Sequence, residues 1–266
     1  MPACDRTVLI VNARMASTRL PGKAMLDLAG APMLARIFER VTRCRVIDEI
    51  VFATTTRPDD DCLVELARGF DLAVYRGAEN DLIDRLWQAA VAHRAGIVVR
   101  LPADNPVAEP AEIDRLAVYQ RGADVSFSST IVPILGNGYP DGIGAEAMPI
   151  ATLEEVWRTE TDPMRREHLN LNFFDYGKQI PLAPDRFTVG TVPCPAAFSR
   201  PDLVLDVNTA DEYAYMSALW RALWPVDPQF HITDIIRWHD ASGELGERRT
   251  GKARSYVTLP AAETCP

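Results

Sequence analysis

Short apolar segments rich in β-branched residues alternate along this chain with amphipathic segments of helical period, and this alternation constrains the fold more than any other feature. The first apolar segment, residues 7–12, has no polar alternation, which is typical of a parallel strand buried on both faces. Further strands are predicted at residues 50–54, 72–75, 97–101, 124–128, 187–192 and 203–207. Helices are predicted to lie between them or to follow them, and repeated βα units of this kind produce a mainly parallel sheet with helices on both faces. The sequence therefore predicts an α/β fold.

The length and the apolar content fit one large domain. A chain of 266 residues with 47% hydrophobic residues can bury a full core. We predict a single domain over residues 1–240, with an insertion at about 131–185 that is rich in Gly, Pro and charge. This insertion is expected to shape a pocket or a dimer contact. Residues 241–266 carry little apolar periodicity and are predicted to form a mobile tail.

Charge and cysteine usage narrow the possible partners. The formal net charge is −9 and the pI is about 5.0, so neither nucleic acid nor an anionic membrane is expected as a partner. No apolar stretch approaches the roughly 20 residues that span a bilayer. The five cysteines are scattered without a CxxC pair, which argues against a zinc site and a disulfide framework. A cytoplasmic location is therefore expected.

The loop after the first strand is the most informative segment. Residues 14–23 read Arg-Met-Ala-Ser-Thr-Arg-Leu-Pro-Gly-Lys and place three cations and two hydroxyls within ten residues of an acidic protein. Cations on a surface are usually only solvated. Here they follow a buried strand at the edge of the sheet where ligands bind, and the Leu-Pro-Gly turn redirects the chain before the lysine. We therefore predict a polyphosphate site that comprises Arg14, Ser17, Thr18, Arg19, Gly22 and Lys23.

This loop also carries a family resemblance. Together with Asp-Leu-Ala-Gly-Ala-Pro-Met at residues 27–33, it resembles the signature of the acidic-sugar cytidylyltransferases, which include the 3-deoxy-manno-octulosonate and acylneuraminate enzymes. The branch named after spore-coat polysaccharide biosynthesis protein F is similar over most of the chain. Its further motifs match residues 48–54, 76–85, 139–142 and 166–168.

The resemblance implies a Rossmann-like nucleotidyltransferase fold, with CTP and Mg²⁺ as ligands. The oligomeric state stays open, although the segment 131–185 could form a homodimer contact. The resemblance also implies that Arg14, Ser17, Arg19 and Lys23 hold the CTP phosphates. Asp84 and Arg85, within the motif at residues 76–85, would lie near the nucleotide.

Two segments could supply metal ligands. Asp104 follows the predicted strand 97–101 and lies on the same sheet edge as the phosphate loop, and a carboxylate there suits Mg²⁺. The resembling family has Gly-Asp-x-Pro at this point, where this chain has Ala103. In related enzymes a second ligand comes from the position of Asn208, with Asp206 as a reserve. The alternative is that Asn208 or Thr209 merely caps the following helix.

Polar clusters in the predicted insertion could contact an acceptor. Cations there could bind an acceptor carboxylate or phosphate, although a turn and a solvated helix end explain the clusters equally well. Gly144 stands where the related branch often has Asp, so the acceptor could differ. The predicted acceptor residues are Tyr139, Asp141, Glu146, Arg166 and His168.

The predicted reaction is attack of an acceptor oxygen on the α-phosphorus of CTP, with release of pyrophosphate. The acceptor is a small acidic or sugar-like molecule, and Arg14, Arg19, Lys23 and Asp104 are the catalytic candidates. Two other functions stay open. A metal-dependent glycosyltransferase would share the sheet and a carboxylate metal site but would normally need an Asp-x-Asp cluster. A non-catalytic protein would bind the nucleotide without turnover.

Overall fold

A computed structural model of the chain describes residues 6–17, 19–131, 134–243 and 245. Its strands are β1 (Thr7–Asn12), β2 (Asp27–Leu28), β3 (Ala31–Pro32), β4 (Glu49–Thr55), β5 (Ala73–Gly77), β6 (Ile97–Pro102), β7 (Phe127–Ser129), β8 (Glu146–Pro149), β9 (Phe174–Asp175), β10 (Ile180–Pro181) and β11 (Val189–Gly190). Its α-helices are α1 (Met33–Val41), α2 (Asp61–Gly69), α3 (Leu82–Ala92), α4 (Pro110–Gly122), α5 (Ile150–Thr159), α6 (Pro163–Glu167), α7 (Ala210–Leu223) and α8 (Ile232–Ala241).

A seven-stranded sheet with the order β11-β7-β8-β6-β1-β4-β5 forms the centre of the molecule. β1 pairs in parallel with both β4 and β6, and β4 pairs in parallel with β5. β8 is antiparallel to both of its neighbours, β6 and β7, and β11 runs parallel to β7. The predicted mainly parallel α/β sheet is therefore confirmed, with β8 as its reversed strand.

Helices cover both faces of this sheet because alternate side chains of each strand point to opposite sides. Leu9 and Val11 of β1 pack in one apolar cluster with side chains of α1, α2 and α4. Val8 and Ile10 pack in a second cluster, with side chains of α3 and α5. The apolar run of β1 is thus buried on both faces, as its sequence predicts.

Helices α7 and α8 belong to a third apolar cluster, which includes residues of the segment 203–207. This segment was expected to be a strand, and that expectation is wrong. Among the described residues it forms an isolated parallel bridge between Asp141 and Val204 and no strand. Val207 instead donates its amide to the carbonyl of Asp104 at 2.8 Å, so the segment packs against a loop.

The segment 131–185 also differs in detail from its sequence pattern. It contributes β8 to the central sheet, besides α5, α6 and the short β9–β10 pair. The predicted tail at 241–266 lies largely outside the described residues. Within the described ranges, no helix combines the length and the apolar character needed to cross a membrane.

Candidate functional site

The loop that follows β1 is folded back on the carbonyl of Met15. The amides of Ser17 and Gly22 both donate to this oxygen, at 2.8 and 3.2 Å. Gly22 has φ +68°, a left-handed conformation that a glycine adopts without a Cβ penalty. The cationic segment is therefore a compact turn at the carboxyl edge of the sheet. Thr18, predicted to bind phosphate, lies outside the described residues.

A buried carboxylate, Asp60, attaches this loop to the neighbouring strand. Asp60 accepts from the amide of Met15 at 2.7 Å and from the hydroxyl of Thr54 at 3.0 Å. It also accepts a short hydrogen bond from the Thr55 hydroxyl and one from the Thr55 amide at 3.2 Å. Only 1% of the residue is exposed, so a single side chain couples the loop to the end of β4.

Lys23 lies between the two predicted metal segments. Its ammonium is 3.0 Å from the carbonyl of Val207, 3.1 Å from Asn208 Oδ1 and 3.5 Å from Asp104 Oδ2. Asp104 follows β6, and Asn208 immediately precedes the Thr209 cap of α7. The structure therefore brings together Lys23, Asp104 and Asn208, which are up to 185 residues apart in sequence.

Asn208 is held in a fixed orientation. Its amide nitrogen donates to Asp206 Oδ2 at 2.5 Å, and Arg19 donates to its Oδ1 at 2.8 Å. Thr209 is the residue that caps α7, in a capping box with Glu212. The Asn208 side chain is thus not the helix cap, and its amide oxygen faces the cations.

Arg14 lies on the other side of the loop, toward α3 and α6. It donates to the carbonyl of Glu79 at 2.5 Å and forms an ion pair of 2.8 Å with Glu167. Arg85 is buried and donates to the carbonyls of Ala78 and Glu79, at 2.5 and 3.3 Å. Burial lowers the pKa of Arg85, while the nearby Glu167 raises it. Arg14 and Arg85 therefore share the carbonyl of Glu79.

Asp84 directly precedes Arg85 in sequence, but its side chain points away from Arg14 and Arg85. It accepts from the indole of Trp157 at 2.9 Å and from Gln88 at 3.4 Å, so it bonds to α5 and within α3. Adjacent residues of a helix point about 100° apart, which explains why only one of the pair faces the loop.

Three of the predicted acceptor residues lie around a charged cluster. Glu146 forms an ion pair of 2.7 Å with Arg100, which also donates to Asn12 at the end of β1. Arg166 forms an ion pair of 2.7 Å with Asp81 and donates hydrogen bonds to two backbone carbonyls. Burial lowers the pKa of His168, and three guanidinium groups lower it further. Those groups belong to Arg100, Arg19 and Arg14.

Tyr139 and Asp141, the other two predicted acceptor residues, are both buried. Tyr139 is fully buried, and its hydroxyl donates a short hydrogen bond to Glu112, which together with burial raises the pKa of the phenol. Asp141 is 6% exposed, and its backbone pairs with Leu203 and Leu205. Both residues are thus buried, and their contact with an acceptor stays a prediction.

Sequence reasoning missed three residues of the site, namely Asp60, Arg100 and Glu167. Arg100 had a signal, because it is a charge within the otherwise apolar segment of β6. Glu167 lay inside a quoted motif, between Arg166 and His168. Asp60 lies in a run of three aspartates, residues 59–61, and only tertiary structure reveals that it is buried.

The oxygen atoms of Asp104 and Asn208 fit a hard divalent cation. Both approach the same ammonium, that of Lys23, so they converge on one position for positive charge. No three His, Cys, Asp or Glu side chains of the described residues cluster as a metal site. A cation held there by the protein would therefore keep positions for other oxygen ligands, as Mg²⁺ does when it is shared with a phosphate.

A parallel sheet whose carboxyl edge carries a cationic loop and paired oxygen ligands is the arrangement of a nucleotidyltransferase. Residues 8–141 match the family model described as cytidylyltransferase, and the chain belongs to that family. It is accordingly a CTP-dependent enzyme.

Individual relatives differ in how much of the chain they match. The spore coat polysaccharide biosynthesis protein SpsF of Bacillus subtilis is 28% identical, over 80% of this chain and 86% of its own. The 3-deoxy-manno-octulosonate cytidylyltransferase of Geobacter sulfurreducens is 42% identical, over 40% of this chain and 41% of that enzyme. A cytidylyltransferase structure from Leptospira borgpetersenii superimposes with a TM-score of 0.77 at 23% identity, over 94% of this chain and 99% of that one. This structural similarity supports the fold.

Proposed function

We propose that this protein transfers CMP from CTP to a small acidic or sugar-like acceptor, of which a sugar acid is the preferred class, and releases pyrophosphate. The observation that carries the proposal is the convergence of Lys23 and Arg19 on Asn208, beside Asp104. This arrangement provides cations for phosphate oxygens next to oxygen ligands for a divalent ion. The sugar-acid class is supported by the names of the two relatives, one a 3-deoxy-manno-octulosonate enzyme and the other a polysaccharide-biosynthesis protein.

The cationic loop binds the triphosphate. Arg14, Arg19 and Lys23 supply the charges, the hydroxyls of Ser17 and Thr18 are the proposed neutral donors, and Gly22 supplies the left-handed turn before Lys23. Each close cation–phosphate contact contributes ~4 kcal/mol before desolvation, at an effective dielectric near 20. Arg85 acts indirectly in this proposal, because it holds the carbonyl that also binds Arg14.

Asp104 and Asn208 hold the divalent metal ion, and Asp206 orients the Asn208 amide. Such an ion, when bound, neutralises phosphate charge and lowers the pKa of a coordinated hydroxyl. Mg²⁺ is the proposed ion, because one or two protein oxygens together with substrate phosphates satisfy it.

The chemical step is an in-line displacement at the α-phosphorus. The acceptor oxygen forms the new P–O bond, and the bond to the bridging oxygen of the β-phosphate breaks. The charge that develops on pyrophosphate is stabilised by Arg14, Arg19 and Lys23 once these cations contact the bound triphosphate. Glu146, Arg166 and His168 border the acceptor side, where Arg100 adds a further cation.

Two features of the wider context belong to the same proposal. The exposed apolar side chains of Leu135, Met164 and Ile180 in the segment 131–185 suit a homodimer contact. Cys44, Cys62 and Cys194 are free thiols, which suits a reducing cytoplasm.

Pyrophosphate release tests the function directly. Each of the four nucleoside triphosphates is incubated with Mg²⁺ and a panel of ulosonic acids, phosphorylated acids and amino acids. We expect CTP with one acidic sugar to yield pyrophosphate and a CMP conjugate in equal amounts. Release of a nucleoside diphosphate would indicate a glycosyltransferase, and binding of CTP without any product from the panel would favour the non-catalytic alternative.

A further inference from the structure

Glu167 is the last residue of α6, and its side chain is turned toward the phosphate loop. Its Oε1 lies 2.8 Å from Arg14 Nη2, and 28% of the side chain is exposed. Sequence reasoning assigned no role to this residue. A carboxylate therefore neutralises one of the three loop cations proposed to bind CTP.

The charges around Glu167 are those of an anion site. Burial raises the pKa of its carboxyl, whereas three guanidinium groups lower it. They belong to Arg14, Arg85 and Arg100. Another carboxylate that acts on Glu167 is Asp81, and Asp81 is itself paired with Arg166 at 2.7 Å. The Glu167 carboxylate is thus partly desolvated among positive charges.

The contacts around Arg14 and Glu167 allow the Glu167 side chain to move while Arg14 stays in place. Arg14 donates to the carbonyl of Glu79 through Nη1, whereas its ion pair with Glu167 uses Nη2, so the two contacts involve different nitrogen atoms. α6 is anchored at its start by Asp162, which accepts from the amides of Met164 and Arg165, and near its end by Arg166. A rotation of the Glu167 side chain would therefore free Arg14 without a shift of the helix.

We infer that Glu167 is an internal substitute for a nucleotide phosphate: it pairs with Arg14 in the nucleotide-free protein and is displaced by the triphosphate of CTP. This inference rests on the proposed function. Two anions at one guanidinium repel each other, so a phosphate that binds Arg14 competes with Glu167. The carboxylate keeps Arg14 paired before binding and makes the site selective for ligands with enough charge to displace it.

Isothermal titration with CTP compares the parent protein with Glu167→Gln, which keeps the size of the side chain and removes its charge. We expect a CTP Kd about tenfold lower for the variant, equivalent to about 1.4 kcal/mol. Glu167→Ala should bind CTP more tightly as well, and thermal melting checks that both variants fold.

Glu155→Gln is the matched control. It removes the same charge from α5, where Glu155 pairs with Arg186 at 2.6 Å on an exposed surface. Its CTP Kd should equal that of the parent, which excludes a general effect of net charge.

The outcomes separate the inference from the proposed function. If the parent binds CTP and both Glu167 variants bind it equally well or more weakly, the inference is overturned, since Glu167 would then support Arg14 instead of competing for it. If neither the parent nor the variants bind CTP, the proposed function is overturned and the inference with it.

Discussion

The ammonium of Lys23 lies at the point where three oxygen atoms of the site converge. It approaches Val207, Asn208 and Asp104, and the Lys23 side chain is only 16% exposed. These oxygens follow β6 or precede α7, and parallel strands that end at one sheet edge bring such loops together. The sequence therefore predicted the proximity of Asp104 to the loop. The contact of Arg19 with Asn208 spans 189 residues, and no local pattern could predict it.

Asp104 and Asn208 can be tested by opposite charge changes. Asp104→Asn removes the carboxylate, so we expect loss of most pyrophosphate release and a weaker affinity for Mn²⁺, measured by electron paramagnetic resonance. Asn208→Asp adds a carboxylate and should tighten Mn²⁺ binding. It also places two carboxylates together, because Asn208 contacts Asp206 at 2.5 Å, so the metal-free variant should melt below the parent.

Gln229→Glu provides the control for added charge, since it introduces one negative charge on an exposed loop before α8. Its Mn²⁺ affinity should match that of the parent. Asp104→Asn should still fold, because the amide keeps the size of the side chain and the ion pair with Lys23 is long, at 3.5 Å. Turnover near the parental value in Asp104→Asn would remove Asp104 from the metal site.

His168 should titrate below its usual pKa of about 6.5. Burial is the largest cause, and Arg100, Arg19 and Arg14 add to it. The unfolded chain then takes up a proton at a higher pH than the folded chain does. The contribution of His168 to the free energy of unfolding is therefore complete above about pH 6.5 and falls as the pH drops through the folded pKa. An NMR titration of the imidazole, assigned with His168→Gln, measures this pKa. A midpoint at or above 6.5 would contradict the environment described for His168.

The sequence predicts the helices and strands with strong apolar patterns well. β1 has the predicted bounds, and β6 begins at the predicted residue and ends one residue later than predicted. β8 was missed because Glu-Ala-Met-Pro has no strand-like pattern of its own, and its pairing comes from β6 and β7. The segment 203–207 was wrongly predicted to be a strand, because its apolar residues, which pack against α7, resemble a strand in sequence.

Gly142 determines how closely two site segments approach. Its φ is +93°, and a Cβ there would lie 2.7 Å from the amide nitrogen of Asp206 and 2.8 Å from the carbonyl carbon of Leu205. Backbone atoms cannot rotate away, so Gly142→Ala should displace the segment that carries Asp206 and Asn208. We expect a loss of about 1–3 kcal/mol in unfolding free energy, measured by denaturant titration, together with weaker Mn²⁺ binding.

Gly30→Ala is the control for Gly142→Ala, because it distinguishes the effect of a steric clash from that of backbone strain. Gly30 has a similar φ of +86°, but a Cβ there would meet no atom within 4 Å. Its replacement should cost less stability and leave Mn²⁺ binding unchanged. Equal effects of the two substitutions would show that strain alone matters at Gly142.

At the scale of the whole molecule, an acidic protein carries a local group of three cations in the loop after β1. The net charge of −9 disfavours general attraction of anions, so nucleotide binding must depend on the local group of Arg14, Arg19 and Lys23. This group contacts residues far away in sequence, such as Asn208 and Glu167, so the fold itself assembles the site. A ligand that joins these segments should therefore stabilise the whole domain.

Thermal melting with nucleotides tests both this stabilisation of the domain by a ligand and the preference for one base. A ligand at 100 times its Kd stabilises the native state by about 2.7 kcal/mol, which corresponds to a rise in Tm of about 5–10 °C for a domain of this size. We expect CTP with Mg²⁺ to give the largest rise among the four nucleoside triphosphates. Asp104→Asn should lose most of the Mg²⁺-dependent part and keep a part that CTP supplies through the loop cations. Equal rises for all four nucleotides would contradict the cytidine preference, because the phosphate contacts alone would then account for the stabilisation.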